Sequence, residues 1–102
     1  MAYYVLFDTE TTGNQEDDKV IQFGAMIVDQ KGKVEAFDEL CSTDVDIKLE
    51  AMEVHNITPD LLLGKPKAIE TNFYKKLEEL NSNENFLIAH NISFDMGMIK
   101  KE

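Results

Sequence analysis

An α/β fold on a mixed sheet is the architecture this sequence predicts. Three strand-like runs come first, helical periodicity follows, and a short apolar run then leads directly into another helical segment. That order sets helices against a sheet with both antiparallel and parallel pairs. Only Asp29-Gln30-Lys31-Gly32 separates the second run from the third, the length and chemistry of a hairpin loop, so those two strands pair antiparallel. A chain of 102 residues makes one domain with a modest core.

Tyr3 to Phe7 is a continuous apolar run closed by a polar cluster, as expected of a central strand buried on both faces. After the polar stretch Gly13 to Asp18, the run Val20 to Val28 forms the first arm of the hairpin and Lys33 to Cys41 the second. Gly24 within the first arm signals a close backbone approach or a bulge. Ser42 to Asp46 reads as a loop and Leu49 to His55 as a short helix. Thr58-Pro59-Asp60 then starts a further turn through Leu61, Leu62 and Leu63, which Gly64-Lys65-Pro66 ends. Between Ala68 and Leu80 the apolar residues Ile69, Phe73, Leu77 and Leu80 recur at spacings of four, four and three, the face of a single helix. Asn81 to Asn85 is a polar break and Phe86 to Ala89 a fourth strand. Ser93 is the expected N-cap of a helix through Met96, Met98 and Ile99. The last residues, Lys100-Lys101-Glu102, carry no C-cap, Gly or Pro, so the fold is expected to be C-terminally incomplete.

Apolar and charged fractions of 43% and 29% are ordinary for a globular protein. Twenty acidic residues face ten basic ones, all of them Lys, for a net charge of −10. This argues against a simple electrostatic DNA binder. Without the guanidinium fork, phosphate recognition falls to Lys, backbone N–H groups or bound cations. Two divalent cations would leave −10 + 4 = −6, reversing the field in one pocket while the surface stays negative. The lone Cys41 cannot form an internal disulfide, and the N-terminal apolar run ends at Asp8, too short for a signal peptide or a membrane span of about 20 residues. A cytoplasmic location without membrane partners is expected.

Asp8 and Glu10 close the first strand two positions apart, so both side chains leave the same face. A bare pair of this kind is by itself more often a solvated strand end. Asp95, in the first turn of the last helix, is by itself ordinary helix-dipole electrostatics. If Phe86 to Ala89 pairs beside Tyr3 to Phe7, however, Asp95 arrives near Asp8 and Glu10. Three gathered carboxylates repel one another and resist desolvation, and hard cations such as Mg²⁺ or Mn²⁺ relieve both costs.

Phe7-Asp8-Thr9-Glu10-Thr11-Thr12-Gly13 resembles the first motif of the DEDD, or DnaQ-like, 3′ to 5′ exonuclease superfamily, the group that includes the proofreading epsilon subunit of bacterial DNA polymerase III. His90-Asn91-Ile92-Ser93-Phe94-Asp95 resembles the second motif, and Val54-His55-Asn56-Ile57-Thr58 a V-H-G-I-T segment between the two. The similarity extends over essentially the whole chain. It implies a ribonuclease H-like fold in which Asp8, Glu10 and Asp95 are the catalytic carboxylates that hold two Mg²⁺ or Mn²⁺ ions about 4 Å apart. It further assigns Thr9, Thr11, His55, Asn91 and Phe94 to the terminal nucleotide. The implied product is a nucleoside 5′-monophosphate cut from a single-stranded 3′ end, DNA favoured over RNA, with a DNA polymerase subunit as candidate partner. Asn56 stands where the family carries Gly, and Asn tolerates the left-handed backbone. His55 and His90 are each near an element end, where a lone His is more often structural than catalytic.

In the resembling enzymes a third motif adds a His or Tyr base and a further Asp. Met96 to Glu102 contains no Asp, His or Tyr, so residues 1–102 are expected to be the N-terminal portion of such a domain, with little activity alone and weakened metal binding. Two readings compete with the nuclease: a noncatalytic nucleic-acid-binding or polymerase-associated module, and an acidic interaction domain whose carboxylates are surface charges.

Overall fold

The computed structural model describes residues 3–15, 17–80, 86–89 and 92–100. Its strands are β1 (Tyr4–Thr11), β2 (Val20–Val28), β3 (Val34–Leu40) and β4 (Phe86–Ala89). They form one sheet in the order β3-β2-β1-β4. β2 is antiparallel to both β1 and β3, while β4 runs parallel to β1. The mixed sheet with an antiparallel hairpin is therefore present, and β1 is interior to it.

β1 departs from the expected burial on both faces. Val5, Phe7, Thr9 and Thr11 are buried, whereas Tyr4 and Asp8 are exposed and Leu6 and Glu10 half-buried. The strand alternates because the helices Asn72–Leu80 and Ile92–Lys100 pack against Val5 and Phe7 on its odd-numbered side. Gly24 is neither a bulge nor a close approach: its pairing with Asp8 is regular, and a Cβ there would meet nothing within 4 Å. The irregularity lies instead between Glu10 and Thr11.

The helices are α1 (Leu49–His55), α2 (Asn72–Leu80) and α3 (Ile92–Lys100), with 3₁₀ turns at Pro59–Leu62 and Ala68–Glu70. The single helix expected over Ala68 to Leu80 is broken at Thr71, whose backbone is extended at φ −68° and ψ 154°. Competing hydrogen bonds explain the break. Glu39 on β3 accepts the N–H groups of Asn72 and Phe73 at 3.0 and 2.7 Å, and the Thr71 hydroxyl accepts that of Tyr74 at 3.2 Å. These satisfy the donors that a continuing helix would have used. The break turns Ile69 out to 47% exposure and Ala68 inward, while Phe73, Leu77 and Leu80 keep the buried face.

Phe73 is the centre of the main core, with ring centroids 5.3 Å from Phe23, 5.6 Å from Phe37 and 6.1 Å from Phe7. Met98 and Ile99 bring α3 into the same core. A second cluster, Ile21, Ile47, Ile57 and Leu62, seats α1 and the turn after it. Asn56 caps α1 at φ 59° and ψ 21°, the left-handed backbone expected of it. Ser93 lies inside α3, which starts at Ile92, two residues before the first helical position that an N-cap at Ser93 would give.

Candidate active site

Strand alternation puts Asp8 and Glu10 on the same side of β1, opposite Gly24 and Gln22 of β2. Asp8 also turns back on its own backbone, accepting the Thr9 N–H at 3.0 Å. Asp95 reaches this end of the strand by another route. Ala89 of β4 pairs with Phe7, and α3 begins at Ile92 with Asp95 in its first turn. There the Thr9 hydroxyl donates to Asp95 Oδ1 at 2.6 Å, and Asp95 is 97% buried, with 3% relative exposure.

Electrostatics link the three groups. Burial pushes the Glu10 carboxyl above the ordinary carboxylate range; His55 opposes that shift, and the charges of Asp8 and Asp95 add to it. Among the described residues, no three His, Cys, Asp or Glu side chains form a finished metal cage. The donor chemistry nevertheless fits a hard divalent cation, since the candidate ligands are carboxylate oxygens and Glu10 already senses negative charge that a cation would offset.

A cavity of about 670 Å³ opens beside Glu10, between β1 and α1. Thr9, Thr11 and His55, all expected at the nucleotide, line it. The Thr11 hydroxyl donates to the Gly13 carbonyl at 2.7 Å. His55 is held at both ring nitrogens. Nδ1 accepts the Ile57 N–H at 3.0 Å, which leaves Nε2 as the donor to the Thr11 carbonyl, also at 3.0 Å. The imidazole can therefore present its face to a ligand while its nitrogens brace α1 against β1. Asn91, His90 and the Phe94 side chain lie outside the described residues.

The expected site omitted one feature. Asp18 is wholly buried, yet its carboxylate accepts hydrogen bonds from the Thr12 hydroxyl at 2.7 Å, the Gln15 N–H at 2.8 Å and Lys48 Nζ at 2.5 Å. Burial alone would raise its pKa, but these bonds and the Lys48 charge outweigh it and hold the group below its ordinary value. The same contact raises Lys48. Asp18 closes a polar loop and Lys48 precedes a helix 30 positions later, so no local pattern pairs them. Gly13 was the available hint, because a Cβ there would overlap the Asp18 carboxylate.

Residues 5–102 match the RNase T family, described as Exonuclease. The chain is 33% identical over 102 residues to the DNA polymerase III subunit epsilon of Treponema pallidum, covering 97% of this chain and 45% of that protein. It is 36% identical over 99 residues to the PolC-type DNA polymerase III of Clostridium perfringens, covering 96% of this chain and 7% of that one. It thus spans less than half the length of these relatives. Among solved structures, Exonuclease X in complex with 5′ overhanging duplex DNA superposes with a TM-score of 0.70 at 26% identity, over 93% of this chain and 52% of that one. E. coli Exonuclease I in complex with a dT13 oligonucleotide superposes at 0.76 and 23% identity, over 97% of this chain and 23% of that one, and shares the fold. A family match across nearly the whole chain and a shared architecture lead to one conclusion: the chain belongs to the exonuclease family with a ribonuclease H-like fold.

Proposed function

We propose that this chain carries the core of a metal-dependent 3′ to 5′ exonuclease site acting on single-stranded DNA ends, in a protein that works with a DNA polymerase. Asp8, Glu10 and Asp95 hold the ions, Mg²⁺ or Mn²⁺. Thr9, Thr11, His55, Asn91 and Phe94 surround the terminal nucleotide. Bound divalent ions supply an activated water and neutralise charge on the leaving oxygen. Water attacks the terminal phosphorus, the bond from phosphorus to the 3′ oxygen of the preceding nucleotide breaks, that oxygen takes up a proton, and a nucleoside 5′-monophosphate departs. The chain's own contribution is placement. β1 fixes two carboxylates on one side, Thr9 orients the third, and the cavity beside Glu10 has room for a nucleotide.

The observation that supports this reading most is the hydrogen bond from Thr9 to Asp95, which draws the carboxylate of α3 to the strand of Asp8 and Glu10. Relatives that are polymerase III subunits, and neighbours solved with DNA, favour DNA and a polymerase partner. A thermal shift tests it. A ligand that binds only the folded form raises the melting temperature, so Mn²⁺ should stabilise the wild type and leave Asp8→Asn nearly unmoved. A wild type indifferent to Mn²⁺ up to millimolar concentrations sinks the proposal.

A further inference from the structure

Two carboxylates are buried among the described residues, Asp95 and Asp18. Asp18 has no part in the reaction above. Burying a charge is costly unless it is paired and fully hydrogen-bonded, and here the partners all converge on one short segment. Lys48 Nζ and the Gln15 N–H both reach Asp18 Oδ2, and the Thr12 hydroxyl reaches Oδ1. The Thr12 hydroxyl in turn accepts the Lys19 N–H at 3.0 Å, and the Lys48 N–H donates to the Thr12 carbonyl at 2.9 Å. Gly13 packs so tightly on this network that a Cβ would lie 2.8 Å from Lys48 Cδ.

The pinned segment faces the cavity. Gly13, Asn14, Gln15 and Lys48 line it together with Glu10 and Thr11. Lys48 is the one lysine among the described lining residues, and its ammonium lies 2.5 Å from Asp18 and 3.9 Å from the exposed Asp17. The Lys48 side chain is 40% exposed, yet the nearer of these carboxylates has no exposure, so the buried partner fixes where the exposed cation sits.

We propose that Asp18 and Lys48 are positioning residues whose ion pair holds Gly13 to Gln15 as the end wall of the cavity and thereby sets how the terminal nucleotide seats beside Glu10. This rests on the nuclease reading.

The test uses the 102-residue chain, with dTMP binding in Mn²⁺ measured by calorimetry and Mn²⁺ stabilisation measured separately by thermal shift. Lys48→Met and Asp18→Asn should each weaken dTMP binding about tenfold while leaving the Mn²⁺ shift unchanged. The double variant should be no worse than Lys48→Met, since the two residues act as one unit. Lys48→Arg should restore most of the binding. Should Lys48→Met fail to fold, Asp18→Asn decides on the same readout, because its side-chain oxygen still accepts the Gln15 N–H. Unaltered dTMP affinity in Asp18→Asn overturns the proposal, as does a loss confined to Lys48→Met, which would make Lys48 a direct phosphate contact. A wild type that takes up Mn²⁺ but no dTMP overturns this proposal alone; one that takes up neither overturns the nuclease reading with it.

Discussion

The Thr9 hydroxyl donates to the Asp95 carboxylate at 2.6 Å across 86 positions of sequence. Both residues are buried, so this bond joins β1 to α3 where water competes little. A hydrogen bond to a charged group contributes about 1.5–3 kcal/mol. Thr9→Val keeps the shape and removes the donor, and should lower unfolding free energy in urea by about that amount. Thr9→Ser should retain most of it.

Glu10→Gln should separate stability from metal binding. The folded-state pKa of Glu10 is raised, so its ionised form opposes folding above that pKa, and the penalty fades as pH falls through it. Removing the charge should stabilise the metal-free protein at pH 7 by on the order of 0.5 kcal/mol, discounted for solvent screening. The same variant should respond less to Mn²⁺. Paired melting curves with and without Mn²⁺ check both signs, and a less stable metal-free variant contradicts the prediction.

Asp18 has the opposite sign. Its pKa is lowered on folding, so its contribution is complete above the unfolded carboxylate value of about 4 and is lost as pH falls through the folded value. Asp18→Asn should cost about 1–3 kcal/mol at pH 7 through weakened hydrogen bonds. The gap from wild type should narrow below pH 4. Denaturant titrations between pH 2 and 7 measure it, and a gap that does not change with pH refutes the assignment.

Glu39 reaches from β3 to the first two N–H groups of α2. Glu39→Ala should lose about 1 kcal/mol, the ordinary worth of an N-terminal cap together with its dipole interaction. Glu39→Gln keeps one acceptor and should lose less. Amide exchange at Phe73 should accelerate in both, Glu39→Ala most.

Asn56 sits at φ 59°. Asn56→Gly should be neutral or slightly stabilising, whereas Asn56→Val should cost about 1–2 kcal/mol because Cβ crowds the carbonyl in this region. Equal stabilities for the two would mean that the turn relaxes.

Much of this arrangement is readable along the chain. Alternation places Asp8 and Glu10 on one side, the Gly32 loop announces the hairpin, and Asn56 supplies a left-handed cap, because each depends on backbone geometry spanning a few residues. The resemblance carried by residues 7–13, 54–58 and 90–95 supplied the family. Packing decided the rest. Thr71 breaks a helix that periodicity would continue, since Glu39 is close enough to cap Asn72 and Phe73. β1 buries only its odd-numbered side deeply because α2 and α3 pack there. Thr9 finds Asp95, and Asp18 finds Lys48, only once β4 and the loop before α1 are in place. Such bonds join segments with no shared local pattern, and their strength comes from exclusion of water, a property that residue order does not possess until the chain has folded.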